Sequence, residues 1–315
     1  MENTPEQISE TLSLNKRIRQ IAWMIIGALA IFFIGFGSAY LKWGQDETAE
    51  LKQQKELANV YEQVNPKDGY ALSISYGDLG PQLLENGMIS YDSFAAIYKI
   101  SGNPLSAEQI EILKNGSDEE IVINADNSHF LLNFFWAVGL ANKNSILTEG
   151  AMVQQSGGQI ERFASTGGWT LATRPVTELY ASMDLIPLTT EQQKLVEEVA
   201  AAIYRPCCNN HTLFPDCNHG MAMLGVLELM ASQDASADEM FEAAKYINAY
   251  WFPQQTLETA IYLQLNEKIE FASADARLVV GNQLSSASGA GMVHEDLQAK
   301  GLLKQAPGQG GSCAN

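Results

Sequence analysis

The chain has 315 residues, 46% of them hydrophobic and 18% charged, with 37 acidic residues against 19 Lys and Arg. This composition describes a folded chain rather than a disordered one, and the length suffices for a sizeable core. The formal net charge of -18 excludes the basic face that a nucleic-acid partner requires, and four cysteines are too few for a disulfide framework.

In chain order, the first feature is Ile21–Leu41, IAWMIIGALAIFFIGFGSAYL. It carries no charge and is roughly as long as a helix must be to cross a bilayer core, ~20 residues. Trp23, Tyr40 and Trp43 flank it as interfacial rings. Lys16, Arg17 and Arg19 precede it and Asp46, Glu47 and Glu50 follow, so the positive-inside rule places residues 1–20 in the cytoplasm and the rest outside. The apolar run exceeds the ~7–15 residues of a signal-peptide core, which favours a retained single-pass anchor at residues 21–42 in the cytoplasmic membrane over a cleaved leader. The membrane is thus one expected partner. The outer placement leaves room for a protein partner without identifying one.

Residues 43–69 read as a helical stalk closed by the turn Asn65-Pro66-Lys67-Asp68-Gly69, and residues 70–284 as the extracytoplasmic domain. Leu79–Lys99 suggests two short helices hinged at Gly87. Ser106 with Gln109 is a capping box, and Thr189–Gln192 gives nearly the same signal. Phe130–Leu140, FLLNFFWAVGL, is too short to span a membrane and predicts the central buried helix. Gly150–Pro175 is the least regular stretch, with a turn or hairpin expected around Gly167-Gly168 and Trp169 in the core. Leu195, Val196, Val199, Ala202 and Ile203 form a helical stripe that ends at Arg205-Pro206. Asp216 is the expected N-cap of the next helix. Ser236-Ala237-Asp238-Glu239 opens a helix over 238–252, and another is expected over 256–269 beyond Pro253. Residues 285–315, rich in Gly, Ser, Ala and Gln, predict a flexible tail apart from a short helix around His294–Leu303. The expected fold is mainly α: one N-terminal transmembrane helix, then a helical extracytoplasmic domain with at most a small sheet.

Candidate chemistry is concentrated in residues 204–223, YRPCCNNHTLFPDCNHGMAM. Cys207, Cys208 and Cys217 supply thiolates, His211 and His219 imidazoles, and Met221 a thioether. Cys313 lies far off in the Gly-rich tail. These are the ligands of soft metals, and a Cys₃His set from Cys207, Cys208, Cys217 and His219 would close a tetrahedral copper or zinc site. His211, Met221 and Cys313 are the substitutes. Two other readings use the same atoms: thiol–disulfide exchange, and a disulfide staple in an interaction domain without catalysis. No HExxH, c-type haem attachment motif or serine–histidine–acid spacing is present, so no catalytic residue is assigned.

Three short stretches carry a family resemblance: Tyr204-Arg205-Pro206-Cys207-Cys208-Asn209, Asp216-Cys217-Asn218, and Ser236-Ala237-Asp238-Glu239-Met240. Within Val199–Phe252 they resemble the membrane-anchored thiol subunits of cytochrome c maturation, of the haem-lyase type. The resemblance implies a three-helix domain whose thiols reduce apocytochrome, with Cys208 and Cys207 at the family's thiol positions. The chain departs from the family in lacking Cys-x-x-Cys and in placing Cys217 where the family has serine.

Overall fold

The computed structural model of the protein describes residues 55–303. Two compact units divide the chain, residues 1–59 and 60–315. Of the first, residues 55–59 are described and are helical. The second contains the elements that follow.

Strands β1 (Tyr70–Gly77) and β2 (Ser117–Ile123) pair antiparallel in a two-stranded sheet. Alternation decides which face is buried: Leu72, Ile74 and Tyr76 of β1 and Ile121 and Ile123 of β2 turn inward. The register shifts on either side of Ser75. Ser75 itself stays opposite Glu120, and the Gln233 side-chain amide meets its backbone, accepting from Ser75 N at 3.0 Å and donating to Ser75 O at 2.9 Å. Between the strands lie α1 (Leu79–Glu85), α2 (Tyr91–Ile100) and α3 (Ala107–Asn115). Gly87, at φ 77°, makes the bend between the first two. The Ser106–Gln109 capping box starts α3 as its residues predict.

Helix α4 (Ser128–Ala141) is buried at every position from Phe130 to Ala141. A helix apolar on all sides can be stable only when surrounded, and α4 is the centre of the main core. Its principal neighbour is α6 (Asn218–Ser232), buried from Gly220 to Ala231. The two backbones touch. A Cβ on Gly139 would lie 2.2 Å from the Met221 carbonyl oxygen, and one on Gly225 would lie 2.7 Å from the Phe135 carbonyl oxygen. Glycine at both positions is what permits the contact.

Around this pair pack α5 (Thr190–Ala202) and α7 (Ala237–Trp251), each opened by a capping box, Thr189–Gln192 and Ser236–Glu239 respectively. Helix α8 (Pro253–Tyr262) starts with proline in its first turn and ends in a π turn, Leu263–Glu267. The single helix expected over 256–269 is thus shorter and differently terminated. The region around Gly167-Gly168 is a helical turn, Ala164–Gly167, rather than a hairpin. Trp169 is buried, its indole N–H donating to Met88 O at 2.9 Å.

A second, smaller core gathers Val60, Val64, Tyr246, Phe271, Val293 and Leu297, among others. The last two belong to α9 (Ala287–Ala299). The short helix expected around His294–Leu303 thus begins earlier, at Ala287, and ends at Ala299, anchored by two fully buried side chains. Its Ser286 cap accepts from Gly289 N.

The expected fold needs one correction. The described residues are mainly helical with a two-stranded sheet, and among them no helix is long and apolar enough to cross a membrane. The most apolar, α4, has 14 residues, about 21 Å at 1.5 Å per residue, against a bilayer core of about 30 Å. The span read at residues 21–42 lies outside the described residues, as does Cys313.

Candidate metal centre

Helix α5 ends at Ala202. Ile203 leaves it with extended backbone (φ -92°, ψ 118°), before the Arg205-Pro206 pair is reached. The chain then folds back on itself. Tyr204 and His211 form an isolated antiparallel bridge, and Thr212 N and Leu213 N donate to Ile203 O and Ala200 O at 2.9 and 3.0 Å. Residues 205–210 become a small closed loop carrying Cys207 and Cys208. The loop is also tied to the segment entering α9: Ala287 N donates to Cys208 O at 2.9 Å, and Ser288 N to the Asn209 side-chain oxygen at 2.9 Å. On the other side, Cys217 rather than Asp216 is the N-cap of α6.

This folding brings three of the candidate ligands together. The Sγ atoms of Cys207, Cys208 and Cys217 all lie within 4.8 Å of one another, near enough to hold a metal ion. Cys207 Sγ and Cys217 Sγ are 3.6 Å apart. Tetrahedral zinc with Zn–S bonds of about 2.3 Å separates its sulfurs by about 3.8 Å, so that pair is already at ligand spacing. Cys217 is buried, while Cys207 and Cys208 are half-buried.

The remaining candidates fall outside the three-sulfur set. The His219 ring packs 4.4 Å from the Phe252 ring and 5.8 Å from that of Trp251, and its Nδ1 is buried with no hydrogen-bond partner. His211 meets Tyr204 edge to face, and its Nδ1 is likewise buried without a partner. Burial first, and then the charge of Arg205, lower the His211 pKa and favour its neutral form. Met221 is fully buried in the main core against α4.

The cluster is organised by a residue to which the sequence assigned no part in the site. Arg205 is 2% exposed and donates from all three of its guanidinium nitrogens. Nε donates to Cys217 Sγ at 3.0 Å, Nη1 to Asn210 O at 3.0 Å, and Nη2 to Phe214 O at 3.3 Å and to Asp216 Oδ1 at 2.7 Å. The other Asp216 oxygen accepts from the Asn210 amide at 2.8 Å. Only guanidinium offers donors in such a planar spread. A Cβ at Gly220 would lie 2.4 Å from Arg205 Cζ, so the guanidinium rests on the first turn of α6 where only glycine leaves room. The spacing that could have disclosed this is an arginine two residues before the paired cysteines and an aspartate immediately before the third.

The electrostatics follow from that geometry. Hydrogen bonds from Cys207 and then Cys208, joined by the charge of Arg205 and the neighbouring His219 ring, hold the Cys217 thiol well below its usual range against the effect of burial. Cys207 moves the other way, pushed up by its hydrogen bonds to Cys208 and Cys217 and by burial. For Cys208 the contact with Cys207 lowers the pKa most, but the contact with Cys217 and burial leave it raised. Of the three sulfurs, these contacts favour the thiolate at Cys217, which faces the guanidinium and in turn favours its charged form.

No family model matches the chain, and neither does any curated protein or solved structure.

Proposed function

We propose that the chain binds one soft metal ion, zinc or copper(I), on Cys207, Cys208 and Cys217. The observation that carries this reading is the convergence of three sulfurs within 4.8 Å of one another. Soft anionic sulfur selects these ions over hard cations. His219 is the best-placed fourth ligand, since its buried Nδ1 has no other partner and its ring lies beside Cys217. Together these residues would make a closed Cys₃His site, while the three sulfurs alone would suit trigonal copper(I). The half-buried edge formed by Cys207 and Cys208 gives an ion a way in and out. The reductant role implied by the cytochrome c maturation resemblance is less well supported. That role would fall to Cys208 and Cys207, which are half-buried but adjacent, without the Cys-x-x-Cys spacing of the family.

The test is metal analysis of the full chain purified under reduction, then loaded with zinc or copper(I) and compared with its variants. Cys207→Ser, Cys208→Ser and Cys217→Ser should each lower the bound metal and the thermal stability of the loaded protein, while Cys313→Ser should change neither. His219→Ala distinguishes the two geometries, weakening a Cys₃His zinc site and sparing a three-sulfur copper(I) site. Affinity should fall with pH, because Cys207 and Cys208 must lose protons to bind. The proposal is wrong if the reduced wild type takes up no more of either metal than the triple cysteine variant.

A further inference from the structure

The three sulfurs are not equivalent toward oxidation. Cys207 Sγ is 3.6 Å from Cys217 Sγ, and a disulfide requires about 2.05 Å. Closing that gap needs roughly 1.5 Å of movement between a residue in a turn and the N-cap of α6. Cys208 is held on both sides, its N donating to Arg205 O at 3.3 Å and its carbonyl accepting from Ala287 N. A bond between the adjacent residues Cys207 and Cys208 would force a strained small ring, which raises the potential and makes the bond easily reduced. If Cys217 were oxidised, Arg205 would keep Asp216 and the carbonyls of Asn210 and Phe214 as acceptors. The loop would therefore survive the loss of the thiolate.

We propose that Cys207 and Cys217 are an oxidisable pair, with Cys208 spared, and that a peroxide-class oxidant closes their disulfide and so releases the metal. In the first step one sulfur of the pair, as thiolate, attacks a peroxide oxygen. An S–O bond forms, the O–O bond breaks and hydroxide leaves. In the second, the partner sulfur, shedding its proton in the metal-free protein or its metal bond in the loaded one, attacks the sulfenic sulfur, forming the S–S bond and breaking S–O. The two sulfurs together surrender two electrons. In the metal-free protein hydrogen peroxide is reduced to one water and one hydroxide, the water taking the proton of the partner thiol; with the metal bound that proton is already displaced, and the products are two hydroxides and the freed ion. Two of the three sulfur ligands are then unable to bind, which makes metal retention dependent on the thiol state. The release step rests on the metal-binding reading, whereas the pairing of Cys207 with Cys217 stands on geometry alone.

The experiment uses the full chain in the Cys313→Ser background, in zinc-loaded and metal-free forms, exposed to hydrogen peroxide and then alkylated. Cleavage before Asp216 separates Cys217 from the other two cysteines, so a disulfide across that position is detected by mass. The expected result is a linked pair of peptides, with Cys208 alkylated, restored to separate peptides by a thiol reductant. A colorimetric chelator should register zinc release in step with the link. In the metal-free form Cys208→Ser should form the link as fast as its parent, and Cys207→Ser should not. A Cys207–Cys208 disulfide, over-oxidation of a single cysteine, or an undiminished link in Cys207→Ser would each overturn the pairing. If the metal-free protein forms the link but the reduced protein never binds zinc or copper(I), the metal reading falls and the redox pair stands. If zinc is bound but survives formation of the link, the pair stands and its coupling to the metal is refuted.

Discussion

Arg205 can be tested apart from any metal. Replacement by methionine keeps a long side chain and removes the guanidinium. The change would leave Asp216 Oδ1, the Asn210 and Phe214 carbonyls and the Cys217 thiolate without the donor that now serves all four. Breaking one side of a buried ion pair costs ~3–5 kcal/mol. Asp216 retains the Asn210 amide and is 23% exposed, which places the expected loss near the lower end, about 3 kcal/mol. Arg205→Lys keeps the charge but not the fork, and should lose about half as much. The assay is urea unfolding of the reduced, metal-free protein at pH 7, followed by tryptophan fluorescence. Asp216→Asn and the double variant complete a cycle whose coupling should fall within ~1–3 kcal/mol. The Cys217 thiol should also titrate at higher pH in Arg205→Met, since loss of a neighbouring cation disfavours thiolate. A stability within ~0.5 kcal/mol of wild type, or no coupling to Asp216, would refute the assigned role.

Gly220→Ala places a methyl group 2.4 Å from Arg205 Cζ. It should destabilise by ~1–3 kcal/mol, and much less in an Arg205→Met background, as urea midpoints would show. Gly225→Ala meets the backbone of α4 at 2.7 Å, with no flexible side chain to yield. A clear drop in melting temperature is expected there whatever the redox or metal state. Glu228, fully buried on α6, accepts from the Asn144 amide at 2.5 Å and has a second carboxyl oxygen without a partner. Burial pushes its pKa from 4.5 up to about 8. Folding therefore keeps a proton that the unfolded chain releases, so this group's contribution is intact below about pH 4.5 and is lost as pH rises to about 8. Denaturant titrations across pH 4.5–8 should show wild type losing stability relative to Glu228→Gln, by up to ~1.4 kcal/mol per pH unit. Parallel curves would place the carboxyl in a more polar setting than the structure does.

Helix starts were legible because capping is local chemistry: Ser106, Thr189 and Ser236 each meet their N3 partner within a few residues. The buried helix at Phe130–Leu140 was legible because an apolar run of that length has few alternatives to the core. The strands were not assigned, although Leu72-Ser73-Ile74-Ser75-Tyr76 alternates. The pattern is brief, it is broken by a residue at positive φ, Ser73, and its pairing partner lies about fifty residues away. Helix α9 was misplaced because its glycine-rich sequence has weak helical propensity. It is held by tertiary burial of Val293 and Leu297 and by the bonds from Ala287 and Ser288 to the cysteine loop.

The site divides in the same way. That Cys207, Cys208 and Cys217 could meet was visible from their spacing, since one compact loop can join residues ten positions apart. That they would meet around Arg205 was not, because its partners at 210, 214, 216 and 217 converge only after the Tyr204–His211 bridge has closed the loop. Asp216 does not cap α6: its carboxylate is engaged by Arg205 and Asn210, and Cys217 is the N-cap. One consequence concerns charge. Three thiolates beside Asp216 would be strongly repulsive in a buried loop. Arg205 offsets one of those charges and favours the thiolate at Cys217, while the contacts among the sulfurs and burial favour the protonated form at Cys207 and Cys208. A metal ion would take over the role of those two protons. The guanidinium bonds to Asp216 and to the Asn210 and Phe214 carbonyls need neither a metal nor a thiolate, so under the two proposals above Arg205 on the first turn of α6 would hold the loop with its cysteines reduced, linked or loaded.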